Sequence, residues 1–346
     1  MHLTKIDFDD AKAFAKAHNY LDFLKRLGNP CFIETPTTEK HNPIVIVTLL
    51  HGNEVSGLKA IHTLLRDDFV FHCPVVFIIG SVSAAVTEPV FTHRMLPGQK
   101  DLNRCFLPDA EPSVGVNPQS ILANAITHLI RSYAPRYVVD IHNTSGSGPA
   151  FAVIAPPNGD IDSSNTDDYL ALASYFSERV IITDIRLGAL MEWDFSCPII
   201  TFEAGGTHDS QSDHHAKQGI TNLLNADKQD NRFSNIEVLT CPRRVMLREN
   251  CTLIYTQSEI DDVDLCLRTD IEHLNFTRTP AHTHIGWVNN DIDTLLMTDK
   301  VSVRVSEVFY VKDNRLYTKT QLIMFMITTR ADIASTDCLF YFSKSG

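Results

Sequence analysis

His51-Gly-Asn-Glu54 sets an imidazole and a carboxylate three positions apart. On a turn that opens into a helix, that spacing lets both groups converge on one cation. The motif follows the run Ile44-Val-Ile-Val-Thr-Leu-Leu50, which reads as a buried strand delivering its last residues to a site. Tyr137-Val-Val-Asp140-Ile-His142-Asn-Thr repeats the design, with an acid and a histidine closing a short apolar strand. On extended backbone Asp140 and His142 point to the same face, so the acid can orient the imidazole as carboxylates do behind zinc-bound histidines. His51, Glu54 and His142 then form three ligands, and a catalytic zinc site keeps its fourth position for water. One such histidine is commonly a packing or surface residue. Three such residues at matching strand ends favour a metal.

Two further segments suit the same site. Asp101-Leu-Asn103-Arg104 follows the turn signal Pro97-Gly98, and an arginine fork beside an amide suits a carboxylate. Thr201-Phe-Glu203-Ala-Gly-Gly206 follows the short strand pattern Pro198-Ile-Ile. Glu203 beside a zinc-bound water would be a general base that later protonates a leaving amine.

Taken in order, these motifs resemble the succinylglutamate desuccinylase/aspartoacylase family, relatives of the zinc carboxypeptidases. The resemblance rests on His51-Gly-Asn-Glu54, Asp101-Leu-Asn103-Arg104, Asp140-Ile-His142-Asn-Thr and Glu203 with its Ala-Gly-Gly, and it covers roughly residues 40 to 225. It implies a zinc hydrolase that cleaves the amide of an N-acyl amino acid, with one Zn2+ per chain on His51, Glu54 and His142. Asn103 and Arg104 would hold the substrate carboxylate, Glu203 would activate water, and Arg94 would polarise the scissile carbonyl. Arg186 is the candidate for a second substrate carboxylate. Two other readings share these residues: a zinc carboxypeptidase acting on peptides, and a zinc-containing binding protein without turnover.

The composition is that of an ordinary globule, 346 residues with 44% hydrophobic and 21% charged. A net charge of −12 argues against nucleic acid and anionic membrane, both of which are bound through basic patches. It also means that a small anionic substrate must be attracted by local arginines. The eight cysteines show no Cys-x-x-Cys spacing, which excludes a zinc knuckle of that type and fits a reducing cytoplasm. The first residues lack a signal-peptide pattern, and no apolar run approaches the ~18 residues needed to span a bilayer. A homo-oligomer is compatible with all of this.

The elements that must position these groups alternate at first. The pattern predicts a helix over 9–27, a strand over 44–50, a helix over 55–66, a strand over 75–79, a helix over 119–133 and a strand over 137–141. A strand over 151–155, a loop over 160–168, a helix over 168–179, a strand over 199–202 and a helix from Lys217 to Leu224 follow. This predicts an α/β arrangement, a mixed, largely parallel sheet flanked by helices, and the family resemblance implies that it is zinc carboxypeptidase-like. Beyond about Asp230 the pattern turns to short strands at 236–239, 245–247, 252–255, 287–288, 301–311 and 322–327. The expected division is a catalytic domain over 1–232 and a β-rich C-terminal domain over 233–346. His214-His215, near Asp209 and Asp213, reads as a polar loop before a helix rather than a second metal cluster, and His282-Thr-His284 lacks a third partner.

Overall fold

Residues 3–37, 42–106, 117–156, 166–226, 236–300 and 303–344 are described by the computed structural model. The chain divides into two units, 1–143 with 150–238, and 144–149 with 239–346. The expected boundary at 232/233 lies outside the described residues.

In the first unit the elements run β1 (Thr4–Ile6), α1 (Phe8–Ala17), α2 (Tyr20–Leu27), β2 (Cys31–Glu34), β3 (Ile44–Thr48), α3 (Ser56–Arg66), β4 (Val75–Ile79) and α4 (Val82–Val86). They continue with α5 (Pro118–Tyr133), β5 (Tyr137–Thr144), β6 (Phe151–Ile154), α6 (Thr166–Ser174), β7 (Arg179–Ile182), β8 (Ile199–Gly206), α7 (Ser210–Leu224) and β9 (Glu237–Thr240). The nine strands form one mixed sheet in the order β1-β2-β4-β3-β5-β8-β6-β7-β9. Every residue of β3 and β4 is buried, as expected of strands covered on both faces. Phe23, Phe77 and Phe202 are among the large side chains fully enclosed in this core.

Register decides what meets at the sheet edge. β3 runs parallel to both β4 and β5, and Thr48 lies opposite Ile141. The residues just past Thr48 and just past Ile141 therefore emerge side by side, and these are the His51 turn and His142. β8 neighbours β5 on its other side and carries Glu203, which is paired with Phe151 of β6. Leu49 leaves β3 at φ 58, a left-handed conformation costly for a non-glycine residue. It turns the chain sharply into the motif.

α3 lies so close to β3 that a Cβ on Gly57 would overlap the Thr48 hydroxyl. Gly57→Ala should therefore destabilise the protein by about 1–3 kcal/mol through overpacking. Urea unfolding of the two forms checks it; equal midpoints would contradict the close approach.

Several expectations need correction. The helix foreseen over 9–27 is two, because Asn19 is extended at ψ 170 and its side chain caps Leu21 and Asp22 of a new helix. β5 and β8 run on to Thr144 and Gly206, since backbone pairing continues past the apolar residues that marked them. α7 begins at Ser210, capped by Asp209, so His214 and His215 lie within the helix rather than in a loop before it. The helix expected to reach Arg179 ends at Ser174, and the β-branched run from Arg179 is a strand. Most of the loop expected over 160–168 lies outside the described residues, but Thr166–Asp168 open α6.

The second unit consists of two five-stranded sheets. One orders Arg278–Thr279, Leu322–Phe325, Phe340–Lys344, Arg243–Leu247 and Leu296–Thr298; the other orders Leu253–Thr256, Leu265–Arg268, His284–Val288, Arg315–Thr318 and Phe309–Lys312. Phe309 packs edge-on against Phe340 at 5.7 Å and Phe342 at 6.0 Å, which joins the two sheets. The strand expected over 301–311 is not continuous. Residues 301 and 302 lie outside the described set, a 3-10 turn occupies Val305–Glu307, and a strand begins only at Phe309. Asp293 holds the turn through the backbone and hydroxyl of Ser306.

Candidate active site

His51 and Glu54 stand on the turn between β3 and α3, and His142 stands near the end of β5; all three are buried. One donor atom from each falls within 4.8 Å of the others, and among the described residues this is the only such group of three or more His, Cys, Asp or Glu. Gly52 in the turn packs against α4, where a Cβ would come within 2.7 Å of the Ala84 backbone. A larger residue there would push the turn, and both ligands, off the sheet edge.

The two imidazoles are held in the same way. His51 Nε2 is 2.9 Å from Asp101 Oδ1 and His142 Nε2 is 2.8 Å from Asp140 Oδ2. A carboxylate only accepts, so each Nε2 donates its N–H to the acid behind it, which leaves Nδ1 as the atom that could offer a lone pair to a cation. Both Nδ1 atoms face inward, 3.2 Å apart, and each is 2.7–2.8 Å from a Glu54 oxygen. Two imidazole nitrogens and a carboxylate aimed at one point, each histidine backed by an acid, make the donor set that zinc prefers.

Charge follows the same arrangement. Burial alone would raise the Glu54 carboxyl, but the charges and hydrogen bonds of His51 and His142 outweigh it and hold it well below the usual carboxylate range. Burial opposes the His142 imidazolium, yet Asp140 and Glu54 raise it well above an ordinary histidine. Asp101 also resists burial and is held low by His51, Arg94 and Arg104.

Glu203 behaves oppositely. It is buried, its Oε2 has no hydrogen-bond partner among the described residues, and burial lifts its carboxyl to about 7, with Glu54 adding to the rise. His142, His51 and Arg94 pull the other way and do not prevail. A folded value above the ordinary 4.5 favours folding at low pH, and that contribution is lost as pH rises through about 7. In metal-free protein Glu203→Gln should thus be more stable than wild type at pH 8, on the order of 1–3 kcal/mol, and nearly equal to it at pH 5. Urea unfolding in chelator at the two pH values checks this. An equal difference at both would show that Glu203 ionises normally.

Arg94 grips Asp101 through Nε at 3.0 Å and Nη2 at 2.9 Å, and its Nη1 is 3.4 Å from Glu54 Oε1. It therefore borders the ligand cluster. Asn103 is buried and its Oδ1 accepts from the Leu190 N–H at 3.0 Å, while Arg104 Nη1 donates to the Asn103 carbonyl at 2.9 Å. The Asn103 amide nitrogen and the other Arg104 N–H groups have no partner among the described residues. Arg186 is placed differently. Its guanidinium donates to the carbonyls of Pro156, Thr183 and Ile185, so it braces its own loop and joins none of the cluster's hydrogen bonds.

With this geometry in hand, the likeness to other proteins is specific. Residues 40–222 match the succinylglutamate desuccinylase/aspartoacylase catalytic domain, more than half of the chain. The chain belongs to this family. No curated protein matches it by sequence. Among solved structures, the product-bound ectoine utilization protein EutE (DoeB) from Ruegeria pomeroyi is similar at TM-score 0.58 and 16% identity, over 91% of this chain and 88% of that one. A succinylglutamate desuccinylase from Vibrio parahaemolyticus gives 0.56 and 16%, over 91% and 86%. A succinylglutamate desuccinylase/aspartoacylase from Rhodobacter sphaeroides gives 0.53 and 16%, over 88% and 87%. At such identities these neighbours establish the fold: the α/β sheet flanked by helices, with additional β-rich sheets. The chain is thus a desuccinylase/aspartoacylase-type hydrolase.

Asp101 was visible only as part of a motif; its hold on His51 appears with the fold. Glu192, which accepts from the backbone N–H of Leu187, Gly188 and Ala189 at 2.7–3.1 Å, had no sequence signal beyond a lone acid near Trp193. His215 Nδ1–H donates to the Ala204 carbonyl at 3.0 Å. His282 meets the Tyr310 hydroxyl and His284 the Gly286 carbonyl. Among the described residues none of them joins a second metal cluster. No helix among those residues is long and apolar enough to cross a membrane.

Proposed function

We propose that this protein is a zinc-dependent amidohydrolase that cleaves the linear amide of a small anionic N-acyl amino acid, resembling N-succinylglutamate or N-acetylaspartate. The observation that carries the reading is the convergence of His51, Glu54 and His142 on one point, with a buried carboxyl of raised pKa, Glu203, on the neighbouring strand. His51 Nδ1, His142 Nδ1 and the Glu54 carboxylate would hold one zinc ion per chain. A zinc ion held there supplies Lewis acidity to a water and to the scissile carbonyl.

The chain's own groups do the rest. Glu203 removes a proton from the attacking water as its oxygen bonds to the carbonyl carbon. Negative charge then grows on the carbonyl oxygen, and the Arg94 guanidinium, fixed by its two bonds to Asp101, stabilises it. Glu203 returns the proton to the amine nitrogen as the carbon–nitrogen bond breaks. The Asn103 amide and Arg104 take the substrate's carboxylate, which a chain of net charge −12 attracts only locally. Arg186 would serve a second carboxylate only after releasing its carbonyl partners. The eight cysteines form no disulfide among the described residues, which suits a reducing cytoplasm.

A panel of N-acetyl and N-succinyl amino acids set against dipeptides of the same residues tests the reading. Turnover of the acyl amino acids, with release of the free amino acid, is expected. Preferential cleavage of dipeptides would make the protein a carboxypeptidase, and a ligand retained uncleaved would make it a binding protein.

A further inference from the structure

Asn143 takes no part in the proposed reaction, yet its buried amide ties three elements together beside the ligands. Its Oδ1 accepts from the Ser56 N–H at 3.2 Å, and its Nδ2 donates to Ser56 Oγ at 2.9 Å and to the Gly205 carbonyl at 3.1 Å. α3 begins without a side-chain cap of its own, since Val55 stands at the cap position. Asn143 supplies from β5 the acceptor that a serine or aspartate usually supplies from within the helix. The chain of bonds continues outward. Ser56 Oγ donates to Asp213 Oδ1 at 2.8 Å, and Lys59 Nζ donates to Asp213 Oδ2 at 2.7 Å, where side-chain exposure reaches 33% and 28%.

What makes this arrangement consequential is the Asn143 backbone. Its N–H donates to Glu54 Oε2 at 3.2 Å. The closer partners of the Glu54 oxygens, His51 and His142, are themselves candidate ligands and must exchange those contacts for a cation. The Asn143 N–H need not. A carboxylate held in one rotamer beforehand loses less conformational freedom on binding.

We propose that Asn143, backed by Ser56 and by Asp213 of α7, is a positioning brace that presets Glu54, so that a partly exposed residue tunes the metal affinity of a buried centre. This rests on the zinc reading of the cluster. It predicts weaker metal binding without loss of fold when the brace is cut behind Asn143.

Zinc Kd by chelator competition, together with melting of the metal-free protein, tests it. Ser56→Ala and Asp213→Ala should each weaken zinc binding by about twofold to tenfold, the worth of one ordinary hydrogen bond. Asn143→Ala should weaken it by about 10–100-fold, as loss of a partner behind a metal ligand does. Asp213→Asn keeps an oxygen acceptor for Ser56 and should restore the wild-type Kd to within about twofold. The metal-free Ser56→Ala and Asp213→Ala proteins should melt within a few degrees of wild type. Should Asn143→Ala not fold, those two variants decide alone. Unchanged Kd in both, or lower melting with unchanged Kd, would reduce the brace to a packing feature and overturn the proposal. A wild-type chain that takes up no zinc would overturn the metal reading itself and the brace with it.

Discussion

Glu203→Gln lowers turnover of the preferred N-acyl amino acid by about 10²–10⁴, the range a positioned general base contributes, while zinc content stays at the wild-type level. The reasoning begins with burial. Glu203 lies in β8, its Oε2 is unpartnered among the described residues, and its carboxyl titrates near 7, the range in which a group both takes and returns a proton efficiently near neutral pH. Glutamine keeps the shape and removes that ability. Because Glu203 is not among the three converging donors, zinc uptake should hold, which separates a chemical defect from a metal defect. Steady-state kinetics with zinc analysis on the same preparation gives the answer. A variant with wild-type turnover would remove Glu203 from the reaction.

His142→Ala has the second large effect, on metal rather than on chemistry alone. His142 faces Glu54 through Nδ1 at 2.7 Å and is oriented by Asp140 at 2.8 Å. Its removal leaves two donors of three, and Asp140 without the cation-facing ring it holds. Zinc content should fall from near one per chain to near zero. The thermal stabilisation that wild type gains from added zinc should vanish too, about 2.7 kcal/mol at a hundredfold excess over Kd. Elemental analysis and melting with and without zinc measure both. A fully loaded His142→Ala protein would mean that the third donor comes from elsewhere.

The candidate site was legible in sequence because its ligand-type residues sit where apolar strands end, and chain ends of parallel neighbours share an edge. His51-Gly-Asn-Glu54 and Asp140-Ile-His142 each announce themselves locally, and the parallel register of β3 and β5 brings them together. Asn143, Ser56 and Asp213 did not stand out, because hydrogen bonds spanning 87 and 157 residues leave no local spacing to read. The lengths of β5 and β8 were underestimated for a related reason: the polar residues that make the site interesting remain in the ladder, and an apolar criterion stops short of them. α7 was shortened because its first turns, Ser210 to His215, are polar and supply no helical stripe. In the second unit, strands such as Leu265–Arg268 and Arg315–Thr318 span four residues each, too few for periodicity to distinguish them from loop.

Zinc-edge anomalous diffraction from crystals grown with zinc addresses the metal centre itself. One peak is expected, bonded at about 2.0–2.2 Å to Nδ1 of both His51 and His142 and to a Glu54 oxygen, with Asp101 and Asp140 behind the rings. A peak bonded to other residues, or none at full zinc exposure, would contradict the account at its root.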